Sequence, residues 1–304
     1  MHGGKLQSAM EYLMTYGWAI LIIAVVLGVL YYLGIFNPYY FAPRAQPGSC
    51  QVLRPYGSGT ATDINLAGVC ADSIPKFVMH MNIGSGMGGV YNIPTYGFPT
   101  GSEPFTITAW FKTTSQGLDF YIFSYGSDPI SNPNGNNQLD FKMDDGQDPV
   151  IKTAGPNGNN VFDAGTDYPI NDGKWHFVAV TYYALGSTSH IEFYVDNTNT
   201  VSISSPVVLD TAITGQYTGA IGTLSDPSWN GELADIQFYN ASLGPNSINA
   251  IYGGGIGGDP IDLQHLVGWW PLNGNTKDYS GNGNSGASSN SFFTGGYALP
   301  SQYA

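Results

Sequence analysis

At 304 residues the chain is long enough to bury a sizeable core, and it carries 41 glycines and 21 tyrosines with only 10% charged residues. Solubility must therefore come from Asn, Ser, Thr and Gly, the balance of a turn-rich β protein. Twenty-two acidic against nine basic residues give a formal net charge of −13, and an acidic exterior repels phosphate, which excludes nucleic acid as a partner.

The first element is apolar. Tyr12 to Phe36 contains no charged residue, and at 1.5 Å per residue it would span roughly 37 Å, enough to cross a bilayer. Its apolar residues form no single stripe, and Asn37-Pro38 ends it. Tyr31, Tyr32 and Leu33 stand where a secretory signal would carry a small-residue cleavage site, so the helix reads as retained. His2 and Lys5 precede it and the next basic residue is Arg44, a bias that predicts a cytoplasmic amino terminus, a single pass and an extracellular remainder.

The stretch Gln7-Ser8-Ala9-Met10-Glu11-Tyr12-Leu13 resembles the start of archaeal class III signal sequences, those of type IV pilin-like and archaellin-like proteins. The resemblance implies cleavage before Gln7, a leader of residues 1–6, and a helix of residues 7–36 that packs in a filament core. Gln7, Glu11 and Tyr12 become the processing and assembly residues. Glu11 would pair with a neighbouring subunit's new amino group, since an unpaired carboxylate near a bilayer interior is costly. The family's Gly or Ala before the cut is Lys5-Leu6 here, so an uncleaved membrane anchor stays open as the alternative.

Residues 37–75 are rich in Pro, Gly and Tyr and read as a stalk. They hold both cysteines, Cys50 and Cys70. A disulfide between them would close a loop of about 20 residues and contribute ~3 kcal/mol; the alternative is a pair of buried thiols.

From residue 76 the pattern becomes that of strands. Phe105 to Lys112, Lys174 to Tyr182 and His190 to Asp196 alternate as half-buried strands, and loops such as Asn132 to Asn137 are dense in turn residues. A short helix is expected over 245–252, between Gly244-Pro245 and the stop Gly253-Gly254-Gly255. Phe105 to Lys112, Asp172 to Val180 and Asn230 to Leu243, in this order, resemble the laminin-G-like or concanavalin A-like lectin/glucanase jelly rolls. A fourth piece, Leu266 to Gly274 followed by Asp278-Tyr279-Ser280-Gly281-Asn282-Gly283-Asn284, normally opens such a domain and here follows it. Either the sandwich is circularly shifted with its closing strand at 266–285, or a second copy is truncated. The shift is preferred, since an orphan strand with two tryptophans would expose a large apolar patch.

The expected fold is thus mainly β: an amino-terminal transmembrane, pilin-type α-helix followed by an antiparallel β-sandwich over 76–304. Catalysis is not expected. Beyond the helix the only glutamates are Glu103, Glu192 and Glu232, and no E-x-D-x-x-E strand motif places carboxylates on one sheet face. The five histidines show no zinc spacing. The jelly-roll resemblance implies calcium on a loop, for which Asp144, Asp145, Asp148 and Asp278 are candidate ligands, with a solvated acidic turn as the alternative. Asn240-Ala241-Ser242 is a sequon for glycosylation. The function expected from these parts is a pilin-like cell-surface filament subunit displaying a lectin-like adhesion domain toward a glycan or cell-surface ligand. The alternatives are a single-pass anchored carbohydrate-binding protein that does not polymerise and a surface glycoside hydrolase.

Overall fold

The computed structural model describes residues 4–32, 50–60, 64–67, 76–82, 88–116, 119–126, 138–145, 147–155, 158–165, 168–196, 198–206, 218–224, 230–289 and 291–295. The chain divides into two compact units, Met1–Arg44 and Ala45–Ala304.

The first unit contains helix α1 (Gly4–Tyr32). The expectation of a membrane-spanning, pilin-type amino terminus is corrected here. Among the described residues no helix is long and apolar enough to cross a membrane. The filament subunit, the membrane anchor, the membrane as partner and the single-pass topology all rested on that span and fall with it. Gln7, Glu11 and Tyr12 lie in α1 with side chains outside the described residues.

The second unit is built by strands whose sequences alternate. In β5 (Phe105–Thr113), Ile107, Ala109 and Phe111 point into one apolar cluster while Trp110 points into another, so this strand is buried on both faces. Around it forms an eight-stranded antiparallel sheet in the order β12-β11-β10-β5-β14-β3-β17, with β15 also paired to β14. Its members are β3 (Phe77–Asn82), β10 (His176–Leu185), β11 (Thr188–Val195), β12 (Thr198–Ser205), β14 (Asn230–Tyr239), β15 (Leu266–Trp270) and β17 (Ser291–Gly295). The second sheet has the order β16-β4-β13-β6-β7-β8-β9. It comprises β4 (Gly89–Pro94), β6 (Phe120–Gly126), β7 (Gln138–Asp144), β8 (Asp148–Gly155), β9 (Gly158–Asp163), β13 (Thr218–Leu224) and β16 (Ala287–Ser289). A small ribbon pairs β1 (Gln51–Leu53) with β2 (Asn65–Ala67).

The main core lies between the two large sheets, where Phe98 stacks on Phe238 at 4.6 Å and Trp270 approaches Phe123 at 5.5 Å. Offset and edge-on packing of this kind adds to the area that the rings bury. The late segment at 266–270 belongs to the sandwich. Leu233 to Asn230 of β14 pair with β3, and Ile236 to Tyr239 pair with β15. Thus β3 and β15 share one lane beside β14, each taking half. A β-carbon at Gly268 would run into the Trp270 ring, so glycine at that position lets the indole lie against the strand.

The outer face of the eight-stranded sheet carries a second apolar cluster. Val78, Trp110, Phe177 and Ala234 are covered there by Ile248 and Ile251 of α2 (Pro245–Gly254) and by Trp269. Tyr252 stacks on Trp110 at 5.6 Å. The sequence expects this helix from its borders, and the structure ends it two residues later, at Gly254, with Gly255 as its cap at φ 67°. Cys50 and Val52, from the segment read as a stalk, are buried in the same cluster.

Candidate functional site

The outer face of the eight-stranded sheet is apolar where α2 lies and changes character one row beyond. Outward positions on three adjacent strands run Val78 to His80, Trp110 to Lys112 and Ala234 to Glu232. The register sets Glu232 opposite His80 on one side and opposite Lys112 on the other. Lys112 Nζ donates to Glu232 Oε2 at 3.0 Å, and His80 Nδ1 lies 3.9 Å from Glu232 Oε1. These side chains keep 38% (Lys112), 22% (Glu232) and 20% (His80) of their surface exposed.

They floor a cleft of about 170 Å³ whose lining also includes Thr113, Thr114, Gly173, Asn230 and Gly231. The walls are fixed by backbone. Thr113 Oγ1 donates to Asn230 O at 2.7 Å, Ser115 Oγ accepts from Asn230 N at 2.9 Å, and Gly173 N donates to Thr113 O at 2.9 Å. Gly173 has φ 81°, and a β-carbon there would press on the Thr114 methyl at 3.0 Å, so the residue keeps this wall low.

Beside Gly173, His176 bridges Asp172 through Nε2 (3.1 Å) and Asp196 through Nδ1 (3.0 Å). Burial alone would lower the imidazole pKa, but the hydrogen bonds and charges of Asp196 and Asp172 outweigh it and hold His176 above its ordinary value. Asp172 is pulled down to about 2: partial burial opposes the shift, and Lys174 and His176 overcome it. His176 is structural, tying the start of β10 to the turn after β11.

The calcium candidates fall in two separate places. Asp144 sits on the outer face of the second sheet, where Lys142 Nζ lies 3.3 Å from it and 2.8 Å from Asp119. Burial and the neighbouring Asp144 push Asp119 above the ordinary carboxylate value, whereas Asp144 is held below it by its contacts with Asp119 and Lys142. Asp145 occupies the hairpin turn with φ 49°, and Asp148 pairs across from Asp144. The position a cation would take beside Asp119 and Asp144 is filled by the Lys142 ammonium.

Asp278 is elsewhere and buried. Its Oδ1 accepts from Trp269 N (3.0 Å) and Ser280 N (2.8 Å), and its Oδ2 accepts from Ser280 Oγ and Asn284 N, both 2.8 Å. Among the described residues no three acidic, His or Cys side chains come together so as to hold a metal ion.

Cys50 is disulfide-bonded and no described cysteine is free; its expected partner, Cys70, lies outside the described residues, as does the loop Asn132 to Asn137. Asn240 Nδ2 donates to Gly97 O at 3.3 Å. The cleft residues escaped the sequence reading. Their one signal is a polar residue at the outward position in each of three strands whose neighbouring outward position is apolar.

A family model described as the concanavalin A-like lectin/glucanases superfamily matches residues 85–249, more than half of the chain. The chain belongs to this superfamily. The match spans β4 through the start of α2 and so includes Lys112, Gly173 and Glu232 of the cleft. No curated protein sequence matches the chain. Among solved structures, the carbohydrate-binding module CBM40 of the Ruminococcus gnavus IT-sialidase is 14% identical, over 58% of this chain and 98% of that one, with a TM-score of 0.42. A heptameric SAP-like pentraxin from Limulus polyphemus is 14% identical over 61% of this chain and 85% of that one, at 0.40. Tailspike protein 2 of the Escherichia coli O157:H7 bacteriophage CAB120 is 15% identical over 66% of this chain and 30% of that one, at 0.42.

The three glutamates beyond the helix are engaged within the chain. Glu103 is used by Thr100 N, Glu192 by the Tyr194 hydroxyl and Glu232 by Lys112.

Proposed function

We propose that the chain is a lectin-like binding domain that takes a carbohydrate, free or on a cell surface, in the cleft formed by His80, Lys112, Thr114, Asn230 and Glu232. The observation that carries this reading is the cleft itself: partly exposed donors and acceptors, held in register by three strands, one row beyond the apolar cluster under α2. Membership of a lectin/glucanase superfamily supports it. Sugar hydroxyls both donate and accept, and the cleft offers both partners side by side in Lys112 and Glu232.

A glycan array probed with the full chain tests the reading. The expected result is retention of at least one carbohydrate with no reducing sugar released on prolonged incubation. Release of product would turn the reading toward a hydrolase, and an array on which nothing is retained would end it.

A further inference from the structure

Resting on that reading, we propose that the cleft selects one neutral sugar ring presenting two adjacent hydroxyls, and turns away sugars bearing a carboxylate or an ammonium group.

The size comes first. Pockets for drug-sized ligands run from about 300 to 1,000 Å³, and this one has about 170 Å³. It has room for one ring, not for an extended chain laid along a groove. Among the described residues the lining holds no Phe, Tyr or Trp ring, so these partners offer hydrogen bonds and no large ring for a sugar face to stack on. Recognition by them runs through hydrogen bonds to the edge of the sugar, where hydroxyls project.

Charge decides between sugar classes. Glu232 stands between His80 and Lys112 in a single cross-strand row, and its carboxylate is already matched by Lys112 at 3.0 Å. A carboxylate on the ligand would have to approach Lys112 past Glu232, in a chain of formal net charge −13, and like charges brought together are costly. An ammonium on the ligand would have to displace Lys112 and lie beside His80. A pair of neighbouring hydroxyls meets neither obstacle. One donates to a carboxylate oxygen of Glu232 and the other accepts from Lys112, so the ion pair is bridged and not broken. The side chains of Thr114 and Asn230 supply further partners at the rim.

Nitrogen-15 NMR titration of the full chain provides the test. The probes are the methyl glycosides of glucose, galactose and mannose, with sialyllactose, glucuronate and glucosamine at equal concentration. The expected result is saturable shifts of the Thr114, Gly173 and Gly231 amides with at least one neutral glycoside and none with the charged sugars. Glu232→Gln keeps the shape of the side chain and removes its charge, and binding should weaken about ten-fold or more, the cost of a hydrogen bond to a charged group. A thermal melt of the variant, unchanged within a few degrees, separates loss of binding from loss of fold.

Shifts of the same amides with sialyllactose or glucosamine in preference to neutral sugars would overturn the selectivity and leave the carbohydrate-binding reading standing. Shifts confined to other parts of the sandwich would overturn the cleft as the site. Silence with every sugar would remove both.

Discussion

Two polar clusters of the sandwich differ in what their hydrogen-bonding groups are used for. In the loop after β15, Asp278, Ser280, Asn282 and Asn284 are buried, and their side chains bond to backbone: Asn282 Nδ2 donates to Leu266 O at 2.9 Å, and Asn284 Nδ2 donates to Val267 O at 2.8 Å and Tyr96 O at 3.0 Å. Arg54 reaches in from the amino-terminal side and donates to the carbonyls of Thr60, Leu263, Leu266 and Ser280. In the cleft, by contrast, Lys112 and Glu232 bond chiefly to each other and remain partly open to solvent. The first cluster replaces regular secondary structure in holding β15 and its loop to the sandwich, because buried backbone groups without a ladder partner must be satisfied by side chains. The second keeps capacity to spare. Composition does not separate the two; the fraction of lone pairs and protons already spent does.

The comparison breaks if the loop cluster is dispensable. Asp278→Ala removes four accepted hydrogen bonds and leaves the buried amides of Trp269, Ser280 and Asn284 without that acceptor. At 1–3 kcal/mol for each buried group left unmade, the expected loss is about 4 kcal/mol or more, read as a shift in denaturant midpoint. A loss under about 1 kcal/mol would show that the loop is not a structural joint. Arg54→Met keeps most of the side-chain stem and removes its hydrogen bonds, with an expected loss of about 2–3 kcal/mol. Because Arg54 and Asp278 also attract each other, the double variant should lose less than the sum of the two, and strict additivity would argue that they act independently.

These clusters also mark where the sequence stopped being legible. The strands of the sandwich could be read because alternation is local: Phe105 to Thr113 announces itself without its neighbours. The helix from Pro245 could be read because its cap and stop are adjacent in the chain. The shared lane of β3 and β15 could not, since it depends on which half of β14 each finds. The cleft was missed for the same reason, its Lys112 and Glu232 being 120 residues apart. Asp278 was a calcium candidate because an aspartate in a Ser-, Asn- and Gly-rich loop has the same composition whether its oxygens face a cation or, as here, donors of the chain. The apolar run from Tyr12 to Phe36 was read as membrane-spanning from its length, its lack of charge and its Asn37-Pro38 stop, whereas no helix among the described residues is long and apolar enough to cross a membrane.

A third buried carboxyl sharpens the distinction between spent and spare polar groups by its response to pH. Asp140, on the outer face of the second sheet, is raised to about 6 by burial, against the pull of Gln138, whose Nε2 donates to it at 2.7 Å. Its folded pKa lies above the ordinary value of 3.8, so between these two values the folded state binds the extra proton. Stability from this group is therefore present below about pH 4 and is lost as pH rises through about 6. Asp235, also raised to about 6 by burial, acts in the same direction. Asp140→Asn removes one of the two titrations. Its stability relative to the parent should climb by about 2 kcal/mol between pH 4 and pH 7, read from paired thermal melts in which all other groups cancel. A difference that stays flat, or falls, would place the Asp140 proton elsewhere.

The smallest expected effect on stability comes from the cleft. Lys112→Met removes one partner of a part-exposed ion pair, and such pairs contribute roughly 0–1 kcal/mol. The denaturation midpoint should hardly move, while retention on a glycan array is lost. This pairing of outcomes is the reverse of that expected for Asp278→Ala, whose effect on binding should follow from unfolding. If Lys112→Met instead cost several kcal/mol, the Lys112–Glu232 pair would be a buried structural link like Arg54 and Asp278, with no capacity left for a ligand. If it cost nothing and glycans were still retained, Glu232, Thr114 and Asn230 would be sufficient without it, and the ammonium would be a neighbour of the sugar and not one of its partners.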